Sequence, residues 1–274
     1  MLYSNTRVIF KRMSTMGNLF HDKTVLITGA SSGFGAAFAK AFAREGATLI
    51  NIARRKDRLV RLEEELHALY STSILSLCLD VTNFNDVTKA LKDIPDSFGV
   101  PDILINNAGL VRGLNKLWET PPNDWNEMID TNVKGLLNVS YNVIPRMIKS
   151  NSGHIINVGS ISGHDTYANG GIYCATKYAV RAITDTLRKE LVDSPIRVSM
   201  ISPGMAKTEF SDVRFSGDQA KAEEVYKNMQ PLTAEDIAEI VIFMASRPPH
   251  VNIADLIVYP TFQASVSIVS RNQT

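Results

Sequence analysis

Val25-Leu26-Ile27-Thr28-Gly29-Ala30-Ser31-Ser32-Gly33-Phe34-Gly35 decides the fold. Val25–Thr28 reads as an apolar strand. A Gly/Ser turn follows, and Ala36–Glu45 then reads as a helix closed by Gly46. A glycine-rich turn between a first strand and a first helix sets backbone N–H groups and a helix N-terminus against a pyrophosphate. Gly29 permits the tight turn, Gly33 lets the chain approach the phosphates without a Cβ, and Gly35 permits close helix–strand contact. Glycine triplets also occur in plain connections. The position between strand and helix, at the first switch of the sheet, favours the binding role here.

Outward from this turn the same alternation repeats. Strands are expected at Thr48–Ala53, Leu75–Leu79, Ile103–Ile105, His154–Val158, Arg197–Ile201 and Leu256–Tyr259. Helices are expected at Lys56–Tyr70, from Asn83 or Asn85 to Ile94, at Ile172–Val192, and after a Thr233 cap to Ala245. One long helix is expected to open at Asn123 or Asp124 and run through Asn132 to Met147. Strands this apolar are buried on both faces, as a helix-covered parallel sheet requires. The pattern predicts a doubly wound α/β fold with one parallel sheet of about seven strands and helices on both faces.

The chain has 274 residues, 45% hydrophobic and 21% charged, which is ordinary globular composition. No linker-like run interrupts it between Lys23 and Pro260, so residues 21–274 are read as a single domain. Residues 1–20 carry Arg7, Lys11 and Arg12 and no acid. They are read as a flexible extension that the fold does not need, or an upstream start before Met13 or Met16. The alternative is a transit peptide. A net charge of +1 without a basic block argues against nucleic acid. No apolar run reaches the roughly 18 residues of a membrane span. Cys78 and Cys174 are expected as free thiols in a reducing, cytoplasmic setting. His21, His67, His154, His164 and His250 lack ligand spacing, so no metal site is expected.

Tyr173 and Lys177 lie four residues apart on an expected helix and share a face. A free phenol has a pKa near 10 and is a poor base at neutral pH. A cation beside it favours phenolate, so the pair can give or take a proton. Ser160, in Gly159-Ser160-Ile161-Ser162-Gly163, lies thirteen residues before Tyr173. A hydroxyl there can hydrogen-bond a substrate oxygen as it becomes negative. Spacing alone does not separate Ser160 from Ser162. Tyr167 and Tyr178 have no lysine four residues on. Asn132, mid-helix, is either functional or a polar residue on an exposed face.

At this point the sequence resembles the short-chain dehydrogenase/reductase family, over nearly all of Lys23 to Ser265. The resemblance rests on Thr28-Gly29-x-x-x-Gly33-x-Gly35, Asp80-Val81, Asn106-Asn107-Ala108-Gly109, and Pro203-Gly204 with Thr208. It implies a Rossmann fold and a nicotinamide cofactor. It implies that Gly29, Ser31, Ser32, Gly33, Phe34 and Gly35 cradle the phosphates. Asp80 and Val81 would line the adenine pocket, with Asn107, Ala108 and Gly109 also on the cofactor. Pro203, Gly204 and Thr208 would hold its nicotinamide side. It selects Ser160 over Ser162 and implies a tetrad. Asn132 would order a relay water, Ser160 polarise the carbonyl, Tyr173 act as acid/base, and Lys177 tune Tyr173 and hold the ribose.

The second strand ends without an acid, in Ala53-Arg54-Arg55. Two guanidiniums there suit a 2′-phosphate, so NADP is expected over NAD. Thr208-Glu209-Phe210-Ser211-Asp212-Val213-Arg214-Phe215, with Phe34 and Pro249-His250-Val251-Asn252-Ile253, resembles the NADP-dependent 3-hydroxy acid dehydrogenase subgroup. That subgroup oxidises serine, allo-threonine and related 3-hydroxy acids, and close relatives reduce sulfoacetaldehyde. A small anionic substrate calls for a cation. Arg214 is the candidate, with Arg112 and His164 as lesser ones. The structural alternative for Arg214 is a salt bridge to Asp212 or Asp218. The rival functions are a broad carbonyl reductase and a non-catalytic NADP-binding sensor. The stripe Ala175, Ala179, Ile183, Leu187 and Leu191 is either core or subunit contact. The resemblance implies a homotetramer or homodimer.

Overall fold

A computed structural model describes residues 18–215 and 217–271. Its elements run β1 (Thr24–Thr28), α1 (Gly33–Arg44), β2 (Thr48–Ala53), α2 (Lys56–Tyr70), β3 (Ile74–Cys78), α3 (Phe84–Lys92), β4 (Ile103–Asn106) and α4 (Pro122–Ile129). They continue with α5 (Leu136–Ser150), β5 (Gly153–Val158), α6 (Gly171–Glu190), β6 (Ile196–Pro203), α7 (Phe210–Arg214), α8 (Gln219–Glu224), α9 (Ala234–Ala245) and β7 (Asp255–Val258). Seven parallel strands form one sheet in the order β3-β2-β1-β4-β5-β6-β7. This is the doubly wound arrangement expected, with chain order reversing between β1 and β4.

Side chains alternate across the strands and feed two cores. Val25, Ile27, Leu49 and Ile105 pack under α1, α2 and α9. Leu26, Ile50, Leu104 and Ile155 pack under α3, α5 and α6. Asn83 caps α3 by accepting from the N–H groups of Asn85 and Asp86 at 3.1 and 3.2 Å. Thr233 and Asp236 form a capping box on α9.

Beyond shifts of a residue or two at element ends and the short helices α7 and α8, the structure differs from the sequence reading in three places. The helix expected from Asn123 or Asp124 opens one residue earlier, with Pro122 at its first position, where the missing N–H is no loss. It is then split by a π-helical turn, Asp130–Gly135, before α5. Phe20, placed in the dispensable extension, is 3% exposed. It packs on Phe42 with ring centroids 4.8 Å apart, and its N–H donates to the Glu45 carbonyl at 3.0 Å. Residues 1–17 lie outside the described residues. The α6 stripe runs from exposed Ala175 to buried Leu191. The fully buried face of α6 is instead Tyr173, Cys174, Thr176, Lys177, Val180 and Thr184. Among the described residues no helix is long and apolar enough to cross a membrane, and no cluster of metal-ligating side chains occurs.

His154 on β5 is buried, with Nε2 2.8 Å from the Ser199 hydroxyl. Burial, aided by the nearby Arg197 guanidinium, lowers its pKa to about 3. An unfolded histidine protonates near 6.5. Between those values only the unfolded state gains a proton, so falling pH destabilises the fold. His154→Gln removes that dependence. The stability advantage of the parent in urea unfolding should shrink by on the order of 3 kcal/mol from pH 7 to pH 4. A constant gap contradicts this account.

Candidate active site

The C-terminal edges of β1 and β4 are stitched together by one hydroxyl. Thr28 Oγ1 accepts from the N–H groups of Asn107 and Ala108, both at 3.0 Å. The Asn107 amide donates to the Thr28 carbonyl at 2.8 Å. Gly29 turns away at φ +69°, and a Cβ there would lie 2.8 Å from Asn107 Nδ2. α1 begins at Gly33, with no acid in its first turn and no side-chain bond from the Ser32 cap, so its first N–H groups point outward unclaimed by a cap. Gly35 does not line the cleft. A Cβ on it would fall 2.2 Å from the Gly29 carbonyl oxygen, so it serves helix–turn packing.

The cleft beside this seam has a volume of about 430 Å³. Of the residues singled out above, Gly29, Ser31, Ser32, Gly33, Phe34, Arg54, Arg55, Asp80 and Val81 line one end. Asn107, Ala108, Gly109, Ser160, Tyr173 and Lys177 line the middle. Pro203, Gly204, Thr208 and Arg214 close the other side. Gly35 and Asn132 are not in the lining.

The two adjacent arginines diverge. Arg54 reaches towards Asp80, with Nη1 3.7 Å from Oδ2. Arg55 turns into the glycine loop, donating to Ser31 Oγ at 3.1 and 3.2 Å and to Ser32 Oγ at 2.6 Å. Its remaining nitrogen pairs with Glu209 at 3.1 Å. Arg58, one turn into α2, also binds Glu209.

Tyr173 and Lys177 sit on the buried face of α6, 7% and 6% exposed. Lys177 Nζ donates to the Val158 carbonyl at 2.9 Å and lies 5.9 Å from the Tyr173 ring centroid. The expectation that Lys177 lowers the phenol pKa is not met. Burial pushes Tyr173 above its usual range, Tyr167 adds to this, and the Ser160 hydroxyl opposes it. Burial also draws Lys177 down to about 8. Both groups are cut off from water, and the ammonium hydrogen-bonds a carbonyl in preference to the phenol. Ser160 caps a short 3-10 helix, accepting from Ser162 N at 3.1 Å.

Asn132 is 2% exposed, which excludes the exposed-face alternative. It sits in the π-helical turn. Its Oδ1 accepts from Leu110 N at 2.8 Å, and its Nδ2 donates to Leu110 O and Thr176 Oγ1 at 2.8 and 3.0 Å. It therefore pins the loop after β4 to α6. Beneath it, Asn106 donates to Ser140 and Asn157, and Asn157 donates to Thr184, a polar chain across β4, β5, α5 and α6.

α7 covers the reacting end. Phe210 packs on Tyr173 with ring centroids 5.7 Å apart, and the Arg214 guanidinium lies 6.0 Å from the Phe210 centroid. Arg214 Nη2 donates to the Tyr167 hydroxyl at 3.4 Å, while its Nε is buried without a partner. Neither Asp212 nor Asp218 pairs with it: among the described residues Arg214 has no carboxylate partner, and Asp218 pairs with Lys221 at 3.2 Å. Arg112 is committed elsewhere, to Glu127 at 2.7 Å and to the Val213 carbonyl at 2.8 Å. His164 is bound to Ser202 at 3.0 Å and lies 3.5 Å from Asp255. Sequence reasoning missed Thr28 as a seam, Tyr167, Tyr226, Gln263 and Val266 as lining residues, and Arg58 and Glu209 as a pair. Only Thr28 and Glu209 carried a local signal, each lying within a stretch already noted.

The family model for short chain dehydrogenases matches residues 23–219. This chain belongs to the short chain dehydrogenase family. Among its relatives is the NADP-dependent 3-hydroxy acid dehydrogenase of Schizosaccharomyces pombe, 43% identical over 92% of this chain and 97% of that protein. Sulfoacetaldehyde reductase 2 of Chromohalobacter salexigens is 42% identical over 88% of this chain and 95% of its own length. A solved closed form of serine dehydrogenase complexed with NADP+ superposes with a TM-score of 0.85. It is 41% identical and covers 91% of this chain and 100% of that one. In this short chain dehydrogenase, Gly35→Ala forces its new Cβ against the Gly29 carbonyl. Overpacking of this kind costs about 1–3 kcal/mol. We expect a lower thermal midpoint and at least tenfold weaker dinucleotide binding by calorimetry, and unchanged binding would refute the packing role.

Proposed function

We propose that the chain is an NADP-dependent oxidoreductase that interconverts a small 3-hydroxy acid and its carbonyl form. The observation that carries this is the Arg214 guanidinium, partnerless towards any described carboxylate, lining the same cleft as Tyr173. Both lie beside the single ring of Phe210, at 6.0 and 5.7 Å, so a cation and an acid/base phenol line one cleft, which suits a small anionic substrate.

The cleft fits the cofactor. A Cβ on Gly33 would close to 3.4 Å from Thr208 Cβ, narrowing the gap between the glycine loop and the β6 segment. Ser31, Ser32 and Arg55 form a donor set suited to phosphate. Gly29–Gly33 and the α1 N-terminus would hold the pyrophosphate, with Phe34 beside them. Arg55, with Arg54 and Asp80 nearby, would hold the adenosine end, and Val81 would line the adenine. Asn107–Gly109, Pro203, Gly204 and Thr208 would flank the nicotinamide half. Bound NADP supplies or accepts the hydride.

The residues of the chain do the remaining work. Tyr173, kept protonated by burial, donates its proton to the substrate oxygen in reduction and takes it back in oxidation. Ser160 hydrogen-bonds that oxygen as it gains charge. Lys177, anchored on the Val158 carbonyl, would hold a ribose hydroxyl of the cofactor. Both amide hydrogens of Asn132 are committed, so its part in a proton relay is to hold the π-helical turn that borders the relay. A sulfonate such as sulfoacetaldehyde meets the same cation, and the relatives named above include both chemistries. The intact Ser160, Tyr173 and Lys177 set weighs against a non-catalytic sensor. We further propose that the enzyme acts in the cytoplasm as a single domain that begins at Phe20, one residue before the boundary read from the sequence, and assembles into a homodimer or homotetramer. The exposed Tyr178 on α6 and Tyr141 on α5 support a pairing face.

A panel of hydroxy acids, semialdehydes, sulfoacetaldehyde and neutral ketones, followed by NADPH absorbance, tests this. Tyr173→Phe should abolish turnover. Arg214→Met should raise KM for the anionic substrates about 100-fold, the size of a lost charged hydrogen bond, and spare neutral ketones. Equal losses on neutral ketones would assign Arg214 to lid structure. Reduction should hold steady through neutrality and decline above about pH 8, where Lys177 loses its proton. A rate flat to pH 10 contradicts the role given to Lys177.

A further inference from the structure

α7 is tied down at both ends. At its C-terminal end the Gly113 N–H donates to the Arg214 carbonyl at 2.9 Å, and Arg112, fixed by Glu127, donates to the Val213 carbonyl at 2.8 Å. At its N-terminal end Glu209, the residue before Phe210, crosses the mouth of the cleft to α2. Its Oε2 lies 3.1 Å from Arg55 Nη1 and 2.6 Å from Arg58 Nη1, and Oε1 also faces Arg58. The two arginines hold this carboxylate below the usual range, against the opposing effect of burial, so it is charged at neutral pH. A negative group has thus been placed among the cations best sited for a phosphate dianion. Nothing about orienting α7 requires those partners in particular, because Arg112 already secures the far end.

We propose that Glu209 and Arg58 form a latch joining the cover over the substrate to the 2′-phosphate subsite, so that the phosphate sets the position of Phe210 and Arg214. This rests on the NADP reading above. Arg55 has its Nε and Nη2 on Ser31 and Ser32 and only Nη1 on Glu209, so it can turn to a phosphate without leaving the glycine loop. Glu209 is then repelled towards Arg58, one helical turn further along α2. A dinucleotide without the 2′-phosphate leaves Glu209 shared between both arginines. The carboxylate therefore lowers affinity for the phosphate and, in exchange, makes the substrate pocket responsive to which dinucleotide is bound. Glu209 touches neither the reacting atoms nor the hydride path, and it acts as a positioning residue.

The experiment is calorimetric titration of 2′,5′-ADP and 5′-AMP into the full chain, its Glu209→Gln variant and its Arg58→Met variant, with amide hydrogen exchange read over residues 209–215. The parent should bind 2′,5′-ADP more tightly than 5′-AMP and slow exchange in 209–215 only with the former. Glu209→Gln should bind 2′,5′-ADP about fivefold more tightly, the scale of an exposed charge interaction, with 5′-AMP unchanged. Its exchange in 209–215 should be fast with either nucleotide. Arg58→Met should bind 2′,5′-ADP more weakly and also exchange fast, and in steady state both variants should raise substrate KM more than they lower kcat. A parent that discriminates while Glu209→Gln leaves affinity and exchange as they were overturns the latch alone. A parent that binds the two nucleotides equally overturns the NADP reading and the latch with it.

Discussion

A single hydroxyl, that of Thr28, accepts two backbone hydrogens from the loop after β4 at the point where strand order reverses. A parallel sheet carries the C-terminal end of every strand to one edge, and at the reversal the flanking loops part in opposite directions. Left alone, that parting is a gap. With Thr28 and Asn107 fastening its floor, it becomes a cleft of fixed width, with the glycine loop as one lip and Asn107–Gly109 as the other. The glycine at position 29 follows, because its φ is positive and any side chain there would strike Asn107. The position of α1, and so the direction in which its first N–H groups point, follows in turn.

The reacting end depends on burying polar groups and hydrogen-bonding most of them, Arg214 Nε and Asn106 Oδ1 being left without a partner. Lys177 is out of water and is tolerated because a strand-end carbonyl accepts a hydrogen bond from its ammonium. Asn106, Asn157, Ser140 and Thr184 form a relay of hydrogen bonds in the same dry layer, and Asn132 fixes the loop above. Such groups are rigid because each alternative leaves a buried donor unpaired. The same dryness raises the phenol of Tyr173 and lowers the ammonium of Lys177, keeping the proton on the tyrosine in the resting protein.

Most of the sheet was legible because its signal is local. Val25–Thr28 and His154–Val158 announce themselves by composition, and their observed ends differ from the reading by a residue. The Tyr173–Lys177 pair was legible because four residues is one helical turn. What failed was whatever depends on residues far apart. The single helix expected from Asn123 to Met147 hides one π-helical turn, since an extra residue per turn leaves no mark in an apolar pattern. α7 and α8 are too short for periodicity to reveal, and their stability comes from tertiary contact. Glu209 and Arg58 are 151 positions apart. Phe20 is one aromatic in a polar stretch, and only the fold shows the slot it fills. The direction of the Tyr173 shift was misjudged because helical spacing reports proximity and says nothing of solvent.

The last residues described form a strap. Gln263 accepts from the Met205 N–H at 2.8 Å, Val266 reaches the cleft, and Arg271 reaches back to the carbonyls of Val225 and Lys227. A carbonyl-rich perch beside the pocket is thereby taken by the chain's own carboxyl-terminal stretch. Phe20 and Arg271 consequently make unequal handles. A tether at Phe20 pulls on its contact with Phe42 of α1. A tether at Arg271 pulls on the strap whose Gln263 and Val266 line the cleft.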